Sequence, residues 1–314
     1  SRECPDAALS RSGRMHLCLA APLSVALCSV IGISFVALLY VGVVGVPDRD
    51  DPRVIKDRFL RVGGASAFGL LTVACATTPR LQRTDECPPP APVFQWLGLW
   101  SPALEIIPAA LAVALPLCVT MLLFLGPLVQ SWVESKSGLS APLLRGIQAQ
   151  SPEARLQQVR NLLVGPLAEE WTFRTCMCPL LHSAGFGEGM IVLIASLIFG
   201  AAHIHHRVDA RVPWIVVAVQ FTYTSLFGAY STYLFLRTGF IYGPLLAHSF
   251  CNFMGLPNFA GVPSHPRARV LTCAYLTGLL GFTAIVSLDA VVRTRLFHSM
   301  YWDERRGENG VADG

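Results

Sequence analysis

Three polar groups interrupt apolar stretches of this 314-residue chain. They are Glu169, Glu170 and Arg174 in GPLAEEWTFRTCM, His203 in SLIFGAAHIHH, and His248 with Asn252 in GPLLAHSFCNFMG. A charged side chain near the centre of a membrane helix costs at least about 2.5–3.5 kcal/mol on insertion scales. Such residues need either a partner or a function, and we expect these groups to contain the reactive site.

The two adjacent acids are expected to have different roles. On a helix Glu170 and Arg174 are i,i+4 neighbours with the acid N-terminal to the base, which is the favourable order. Arg174 can therefore neutralise Glu170. Glu169 points to another side of the helix and has no cationic neighbour within helical reach. We predict that Glu169 is the acid available for chemistry.

A carboxylate, two imidazoles and an amide indicate hydrolysis by an activated water. Glu169 would be the general base, and His203 would orient the same water or shuttle the proton. His248 and Asn252 would donate hydrogen bonds to the developing oxyanion, which is the largest electrostatic task in acyl transfer. Phe199 and His203 are four residues apart, as are His248 and Asn252, so each pair shares a helical face.

Two other chemistries remain open for these residue types. A glutamate and two histidines could bind zinc, and His205 and His206 add possible ligands. Against zinc, HExxH is absent and asparagine is a poor zinc ligand. Cys251, beside Asn252 and three residues after His248, could act as a nucleophile. A single intramembrane histidine is also often only a hydrogen-bonded core residue, but three polar groups in separate apolar helices favour mutual contact.

Composition places these residues in a membrane protein. The chain is 53% hydrophobic and only 14% charged, which is too apolar for a soluble domain of this size. Residues 15–47 and 106–133 contain no Asp, Glu, Lys or Arg, and each run exceeds the roughly 20 residues that a bilayer requires. The remaining predicted spans are 62–78, 162–181, 190–203, 212–236, 238–255 and 270–288. We predict an all-α polytopic membrane protein with about eight transmembrane helices.

The segment before the glutamates should begin a helix and then break it. Ser151 is a favourable N-cap, and Pro152 is favourable in the first turn. Apolar residues at helical spacing then make the opening amphipathic, which suits a membrane interface. Gly165 and Pro166 should interrupt the helix one turn before Glu169. Because discontinuous helices at membrane depth are tolerated mainly where they line a cavity, we predict a water-filled pocket there.

The connecting segments have simpler interpretations. Residues 46–62 form a dense mixed-charge stretch that we expect to be a solvated loop. Residues 77–92, with three consecutive prolines, should form a stiff extended linker, and the aromatic residues of 94–100 suit a membrane interface. The first apolar run is longer than a signal-peptide core, so we interpret it as a span.

Charge and cysteine content argue against other classes of protein. The net charge of +4 is spread over the loops without a dense basic cluster, so we expect no nucleic-acid partner. Most of the ten cysteines lie in apolar segments, where a thiol acts as a small hydrophobe, and a disulfide framework is not expected. The Lys and Arg distribution does not determine the membrane orientation.

The polar groups also form a known set of motifs: EExxxR from Glu169 to Arg174, FxxxH at Phe199 and His203, and HxxxN at His248 and Asn252. In this order on apolar helices they resemble the type II CaaX prenyl endopeptidases. The likeness is strong over about 161–257. FGAAHIHH, FGAYSTYLFLRTG and HSFCNFMG are similar to extended motifs of the eukaryotic branch, the Ras and a-factor converting enzymes.

This resemblance implies a glutamate-dependent endopeptidase of the endoplasmic reticulum membrane that needs no metal or other cofactor. Its eight spans would lie around an intramembrane catalytic chamber. It would remove the C-terminal tripeptide from farnesylated or geranylgeranylated CaaX proteins, such as Ras-like small GTPases. The implied site residues are Glu169 and His203 for water activation, His248 and Asn252 for the oxyanion hole, and Glu170, Arg174 and Phe199 in support.

We expect one polytopic domain over 1–314. It would have N-terminal spans and loops in 1–150, a catalytic core in 151–257, and a last span with a tail in 258–314. Two alternatives remain. An inactive relative or scaffold that binds lipidated tails would be expected to lose the acid or a histidine, and all are present. A zinc-dependent CaaX protease would act on the same tails but needs HExxH.

Overall fold

The computed structural model describes residues 14–15, 19–41, 48–76, 91–100, 105–135, 151–205, 213–292, 296–297 and 299–302. These ranges are mainly helical. In the first half the helices are α1 Ala21–Leu38, α2 Pro52–Ala76, α3 Val93–Trp96, α4 Ile106–Leu123 and α5 Leu125–Glu134. Two-residue strands, β1 Arg14–Met15 and β2 Ala91–Pro92, pair antiparallel.

The second half carries the predicted site residues. Its helices are α6 Pro152–Val159, α7 Gly165–Glu170, α8 Met177–Ser183, α9 Glu188–Ala202, α10 Trp214–Thr238, α11 Tyr242–Met254 and α12 Ala268–Val292. The π-helical turns Arg160–Val164 and Trp171–Cys176 join α6, α7 and α8 into one run, 152–183, which we call the glutamate helix. Short 3-10 turns are His203–His205 and Phe259–Gly261.

Four of the described helices are long and apolar enough to cross a membrane. They are Ala21–Leu38, Pro52–Ala76, Ile106–Leu123 and Ala268–Asp289. Helices α9 and α11 have 15 and 13 residues, fewer than the roughly 20 that a bilayer requires. The predicted class, an all-α polytopic membrane protein, is confirmed, whereas the count of eight spans is not.

The glutamate helix departs from its predicted form. Ser151 caps it as predicted, because its hydroxyl accepts a hydrogen bond from the Ala154 N–H at 3.1 Å. The predicted break at Gly165 and Pro166 is wrong, since the helix continues through this pair. A π-turn absorbs the irregularity: the Gly165 N–H donates to the carbonyl of Arg160, five residues earlier.

Two predicted boundaries are also wrong. The stretch 46–62 is not simply a loop, because α2 begins at Pro52. Asp51 Oδ1 accepts from the Arg53 N–H at 2.7 Å, and Asp57 pairs with Arg61 at i,i+4, so local contacts hold the charged residues in helix. The apolar run 106–133 is two helices, because the chain turns at Phe124 between α4 and α5.

The aromatic stretch 94–100 is divided between core and surface. Trp96 is fully buried beside Tyr301, whereas Phe94 and Trp100 are more than half exposed. The proline run, residues 77–90, the connection 136–150, His206 and the tail 303–314 lie outside the described residues.

The core lies around the C-terminal part of the glutamate helix. Residues 172–183 are all buried and pack against α1, α2, α9 and α10. Helices α9 and α10 approach closely where side chains are small: a Cβ added to Gly200 would lie 2.0 Å from Ser225 Oγ, and one added to Gly228 would lie 3.2 Å from Ser196 Cα. This contact brings Phe199 and the Gly228 carbonyl towards the glutamate helix.

Candidate active site

The four residues predicted to act on substrate line one cavity of about 1400 Å³. Glu169 comes from α7, His203 follows α9, and His248 and Asn252 come from α11. Helix α10 closes another side with aromatic residues that include Phe227. Three separate helical segments therefore bring these polar groups to a single space.

Glu170 lies behind this cavity and is fully buried. Its Oε1 atom is 3.2 Å from Arg174 Nη1 and 2.7 Å from His248 Nδ1. Its Oε2 atom accepts a hydrogen bond of 2.6 Å from the Ser231 hydroxyl. The i,i+4 pairing that the sequence predicts is therefore present, and two more helices contribute partners to the same carboxylate.

Arg174 is also fully buried and joins three elements. Besides Glu170, it donates from Nη2 to the Gly228 carbonyl of α10 at 3.2 Å. Its guanidinium carbon lies 4.4 Å from the centre of the Phe199 ring, which is within cation–π range. Phe199 in turn contacts the His203 ring, with centroids 4.7 Å apart. Phe199 thus separates the buried ion pair from His203.

Glu169 has a different environment. Its side chain keeps 24% of its surface exposed, and its Oε2 atom lies 3.7 Å from His248 Nε2 and 4.0 Å from His203 Nε2. These separations exceed direct hydrogen-bond distance, and polar groups so spaced are commonly bridged by water. The site can therefore hold a water between a carboxylate and two imidazoles.

The hydrogen bond at Nδ1 of each imidazole determines whether its Nε2 atom, which faces Glu169, is a donor or an acceptor. His203 Nδ1 lies 2.8 Å from the Phe199 carbonyl, which only accepts, so Nδ1 carries the proton. His248 Nδ1 likewise donates to the Glu170 carboxylate. In a neutral ring Nε2 is then an acceptor, and His248 can donate from Nε2 only as an imidazolium.

The Asn252 side chain is exposed within the cavity. Its Nδ2 atom donates to the main-chain carbonyl of Asn161 at 3.0 Å. A side-chain amide has two N–H donors, so this bond orients the amide and leaves the second N–H for a ligand.

Comparison with known proteins identifies the family. A family model described as Type II CAAX prenyl endopeptidase Rce1-like matches residues 151–254. CAAX prenyl protease 2 of Homo sapiens is 39% identical over 290 residues, which cover 88% of this chain and 83% of that protein. The chain belongs to the type II CAAX prenyl endopeptidase family. The resemblance inferred from the motifs is therefore confirmed.

Two further relatives of this endopeptidase family agree. CAAX prenyl protease 2 of Rattus norvegicus is 36% identical over 303 residues, which cover 95% of this chain and 88% of that protein. Probable CAAX prenyl protease 2 of Schizosaccharomyces pombe is 32% identical over 244 residues, which cover 75% of this chain and 80% of that protein. No solved structure matches the chain significantly.

The structure brings all the predicted site residues of this family member together, while their catalytic roles stay predictions. Sequence reasoning missed Ser231, because a hydroxyl in an apolar helix commonly bonds to its own backbone and gives no signal of a distant carboxylate. It also missed Asn161, which contributes through its main-chain carbonyl and so has no side-chain signature.

The two alternative chemistries depend on other residues of the same region. Within the described ranges, no group of three His, Cys, Asp or Glu side chains is placed to hold a metal ion. His206 lies outside these ranges, as does the side chain of His205. Cys251 is half-buried and lines the cavity as a free thiol, so its role requires a direct test.

Proposed function

We propose that this protein is an intramembrane endopeptidase that removes the C-terminal tripeptide from prenylated CaaX proteins. Family membership supports the substrate class, since the relatives named above are CAAX prenyl proteases. One structural observation supports the mechanism most strongly: the Glu169 carboxylate faces the Nε2 atoms of both His203 and His248 inside the cavity.

In the first step Glu169 and His203 activate a water. The water donates one hydrogen bond to Glu169 Oε2 and the other to His203 Nε2, which is an acceptor because Nδ1 holds the proton. Its oxygen lone pair is then directed at the scissile carbonyl. As the new C–O bond forms, the water proton moves to Glu169, which acts as general base.

His248 and Asn252 stabilise the charge that develops on the carbonyl oxygen. His248 serves as an imidazolium, donating from Nε2 while Nδ1 donates to Glu170. Two carboxylates, Glu169 and Glu170, are then balanced by two cations, Arg174 and His248. The second N–H of Asn252 completes the oxyanion hole. Glu170 touches no substrate in this scheme and acts through His248.

In the last step the tetrahedral intermediate collapses. The C–N bond breaks, and the leaving nitrogen takes the proton that Glu169 had accepted. The products are a prenylcysteine with a free carboxylate and a tripeptide with a free amine. Glu169 returns to its ionised form, so the cycle balances in atoms and charge without a further reactant.

The walls of the cavity support a lipid-modified peptide as substrate. Phe35, Phe227 and Phe282 provide apolar surface, which suits a farnesyl or geranylgeranyl chain. Arg49 and Arg58 line the same space and would complement the carboxylate at the end of a CaaX tail. These features match the chemistry of such a substrate, which combines an apolar chain, a peptide and a terminal negative charge.

We further propose Ras-like small GTPases as substrates and the endoplasmic reticulum membrane as the location. The chain would act as one polytopic unit over 1–314, with the catalytic core in 151–257 between N-terminal spans in 1–150 and a last span with a tail in 258–314. The site contacts described above involve residues 161–252, which supports this placement of the core. Fluorescence microscopy of the tagged full chain with a reticulum marker tests the location; residence in another membrane would contradict it.

The activity is tested with purified full-length protein in lipid vesicles and a farnesylated CaaX peptide. Mass spectrometry should find the released tripeptide and the prenylcysteine product. The same peptide without farnesyl, and a Glu169→Gln variant, are the matched controls. Failure of the wild type to cleave, with correct folding, would contradict the proposed function and favour a binding protein.

Two additional arms separate the alternative chemistries. Cleavage should survive a strong chelator, and Cys251→Ser should retain most of it. Loss of activity with chelator, restored by zinc, would support a metal site. A dead Cys251→Ser variant that folds normally would support a thiol nucleophile. Inhibition by thiol reagents alone would not, since such reagents add bulk beside Asn252.

A further inference from the structure

The glutamate helix changes its hydrogen-bond register just before the glutamates. In the π-turn Arg160–Val164 the Gly165 N–H donates to Arg160, five residues earlier, and not to Asn161, four residues earlier. In this register the next donor for the Asn161 carbonyl would be the N–H of residue 166. That residue is Pro166, which has no N–H. Neither the fourth nor the fifth residue after Asn161 therefore supplies an N–H to its carbonyl.

Asn252 supplies that donor from α11. Its Nδ2 atom lies 3.0 Å from the Asn161 carbonyl oxygen. This is the bond that orients the amide within the cavity and directs its second N–H. The direction of the Asn252 amide thus depends on the Asn161 carbonyl. That carbonyl can accept from Asn252 because Pro166, five residues later, has no N–H to donate to it.

Gly165 is the other half of this arrangement. A Cβ added to Gly165 would lie 2.9 Å from the Arg160 carbonyl oxygen, closer than real Cβ contacts. The contacted atom is backbone and is the acceptor of the π-turn bond, so a side chain here would disturb that bond. Gly165 therefore permits the π-turn. Pro166 has no N–H, so it cannot add the next hydrogen bond of that turn, to the Asn161 carbonyl.

We propose that the Gly165–Pro166 pair positions the oxyanion amide of Asn252 by leaving the Asn161 carbonyl free to accept it. Pro166 is a positioning residue, since it acts through Asn161 and Asn252. The kinetic consequence rests on the proposed function, whereas the hydrogen bond itself does not.

Replacement of Pro166 by alanine tests whether the Gly165–Pro166 pair positions Asn252, because alanine adds a backbone N–H at residue 166. If the π-turn persists, the new N–H reaches the Asn161 carbonyl. If the helix relaxes to α-helical register, the Gly165 N–H reaches it. In both cases a backbone donor competes with Asn252, and the amide loses its fixed direction.

Kinetics with a farnesylated CaaX peptide provide the first measurement. Pro166→Ala should lower kcat about tenfold, less than the roughly 100 to 1000-fold for complete loss of an oxyanion donor. KM should stay nearly constant, because the affected interaction forms only in the transition state. In an Asn252→Ala background the same proline substitution should have no further effect on kcat, since the two residues act as one unit.

Pro179 is the matched control. It lies in the same glutamate helix, is buried, and follows the second π-turn. Pro179→Ala should leave kcat close to that of the wild type. A tenfold loss for Pro166→Ala that persists in the Asn252→Ala background, or an equal loss for Pro179→Ala, would overturn the proposal in favour of a general effect on the helix.

A spectroscopic measurement is independent of cleavage. The chain contains four asparagines, so labelling with [15N]asparagine gives four side-chain amide signals, and Asn252→Ala assigns the relevant one. In the wild type one Asn252 amide proton should exchange slowly with solvent, and in Pro166→Ala it should exchange like a free amide. Fast exchange in the wild type would overturn the proposal.

The two measurements separate the possible failures. A wild type that cleaves no peptide but protects the Asn252 amide would contradict the proposed function and leave the positioning arrangement supported. A wild type that cleaves without protecting the amide would contradict the arrangement alone. If Pro166→Ala does not fold, fast exchange of the Asn252 amide in the wild type would still overturn the proposal.

Discussion

Glu169 and Glu170 are neighbours in the chain, yet they lie in two unlike regions of the molecule. Glu170 faces a sealed region, where Arg174, His248 and Ser231 lie 2.6–3.2 Å from its oxygens. Glu169 faces the cavity, keeps 24% of its side-chain surface exposed, and has its imidazole neighbours at 3.7 and 4.0 Å. One residue step along the helix separates a fully buried carboxylate from one open to the cavity.

This difference explains why adjacent acids can have different roles. Protonating Glu170 would weaken an ion pair and two hydrogen bonds at once, so it is suited to remain ionised and to hold His248 in place. Glu169 can accept a proton without breaking a direct bond to either imidazole. A carboxylate whose oxygens are already engaged maintains structure, whereas one near its partners but not bonded to them can take part in chemistry.

The strongest test of this comparison is Glu169→Gln. The amide keeps the shape of the side chain but cannot accept the water proton, so cleavage should fall by at least about 100 to 10,000-fold, the usual contribution of a general base. Peptide cleavage by mass spectrometry measures the loss, and a thermal melt should show a normally folded protein. Turnover near that of the wild type would exclude Glu169 as the base.

Glu170→Ala should instead affect folding. It leaves Arg174 as an unpaired buried cation, a change that destabilises a protein by about 3–5 kcal/mol. Unfolding in mild detergent measures this loss. Glu169→Ala, the same substitution one residue earlier, is the matched control and should change stability little. If Glu170→Ala folded normally but was inactive, the roles of the two acids would have to be exchanged.

The third test concerns Asn252, on the cavity side. Asn252→Ala should lower kcat by about 100 to 1000-fold with nearly constant KM, because an oxyanion donor interacts chiefly with the transition state. Asn252→Asp should be as poor or worse, since a carboxylate donates nothing to an oxyanion. Steady-state kinetics decide the matter, and a raised KM with unchanged kcat would make Asn252 a substrate-positioning residue.

The smallest expected effect is that of Ser231→Ala, on the sealed side. It removes one hydrogen bond to the buried Glu170 carboxylate, which should cost about 1.5–3 kcal/mol of stability. Thr232→Val is the matched control, because the neighbouring Thr232 hydroxyl is buried without a hydrogen-bond partner among the described residues. If both variants unfold at the same denaturant concentration, Ser231 does not stabilise the sealed side.

Local features were predictable where the interacting residues are close in sequence. The Ser151 cap and the Glu170–Arg174 pair follow from spacings within one helical turn, and the structure contains both. The apolar content similarly predicted a polytopic membrane protein, because a bilayer requires long runs of apolar residues and such runs are visible in the sequence. The motif residues were found for the same reason, since charges in apolar helices stand out.

Two of the incorrect predictions share a cause. Gly165 and Pro166 are helix-breaking residues on average, yet a π-turn and a partner from another helix accommodate them. The charged stretch from Asp51 to Arg61 was expected to be a loop, yet its charges pair locally and it opens α2. In each case a propensity was overridden by hydrogen bonds that only a specific backbone geometry permits.

The sequence alone determined which residues are costly in a membrane and which acid has a cation within helical reach. Only the tertiary structure decided that Ser231 and His248 complete the shell of Glu170, that Glu169 meets two imidazoles, and that Asn252 bonds to a carbonyl on another helix. The physical reason is range. Helical periodicity sets contacts within a turn, whereas contacts between α7, α9, α10 and α11 depend on how those helices pack.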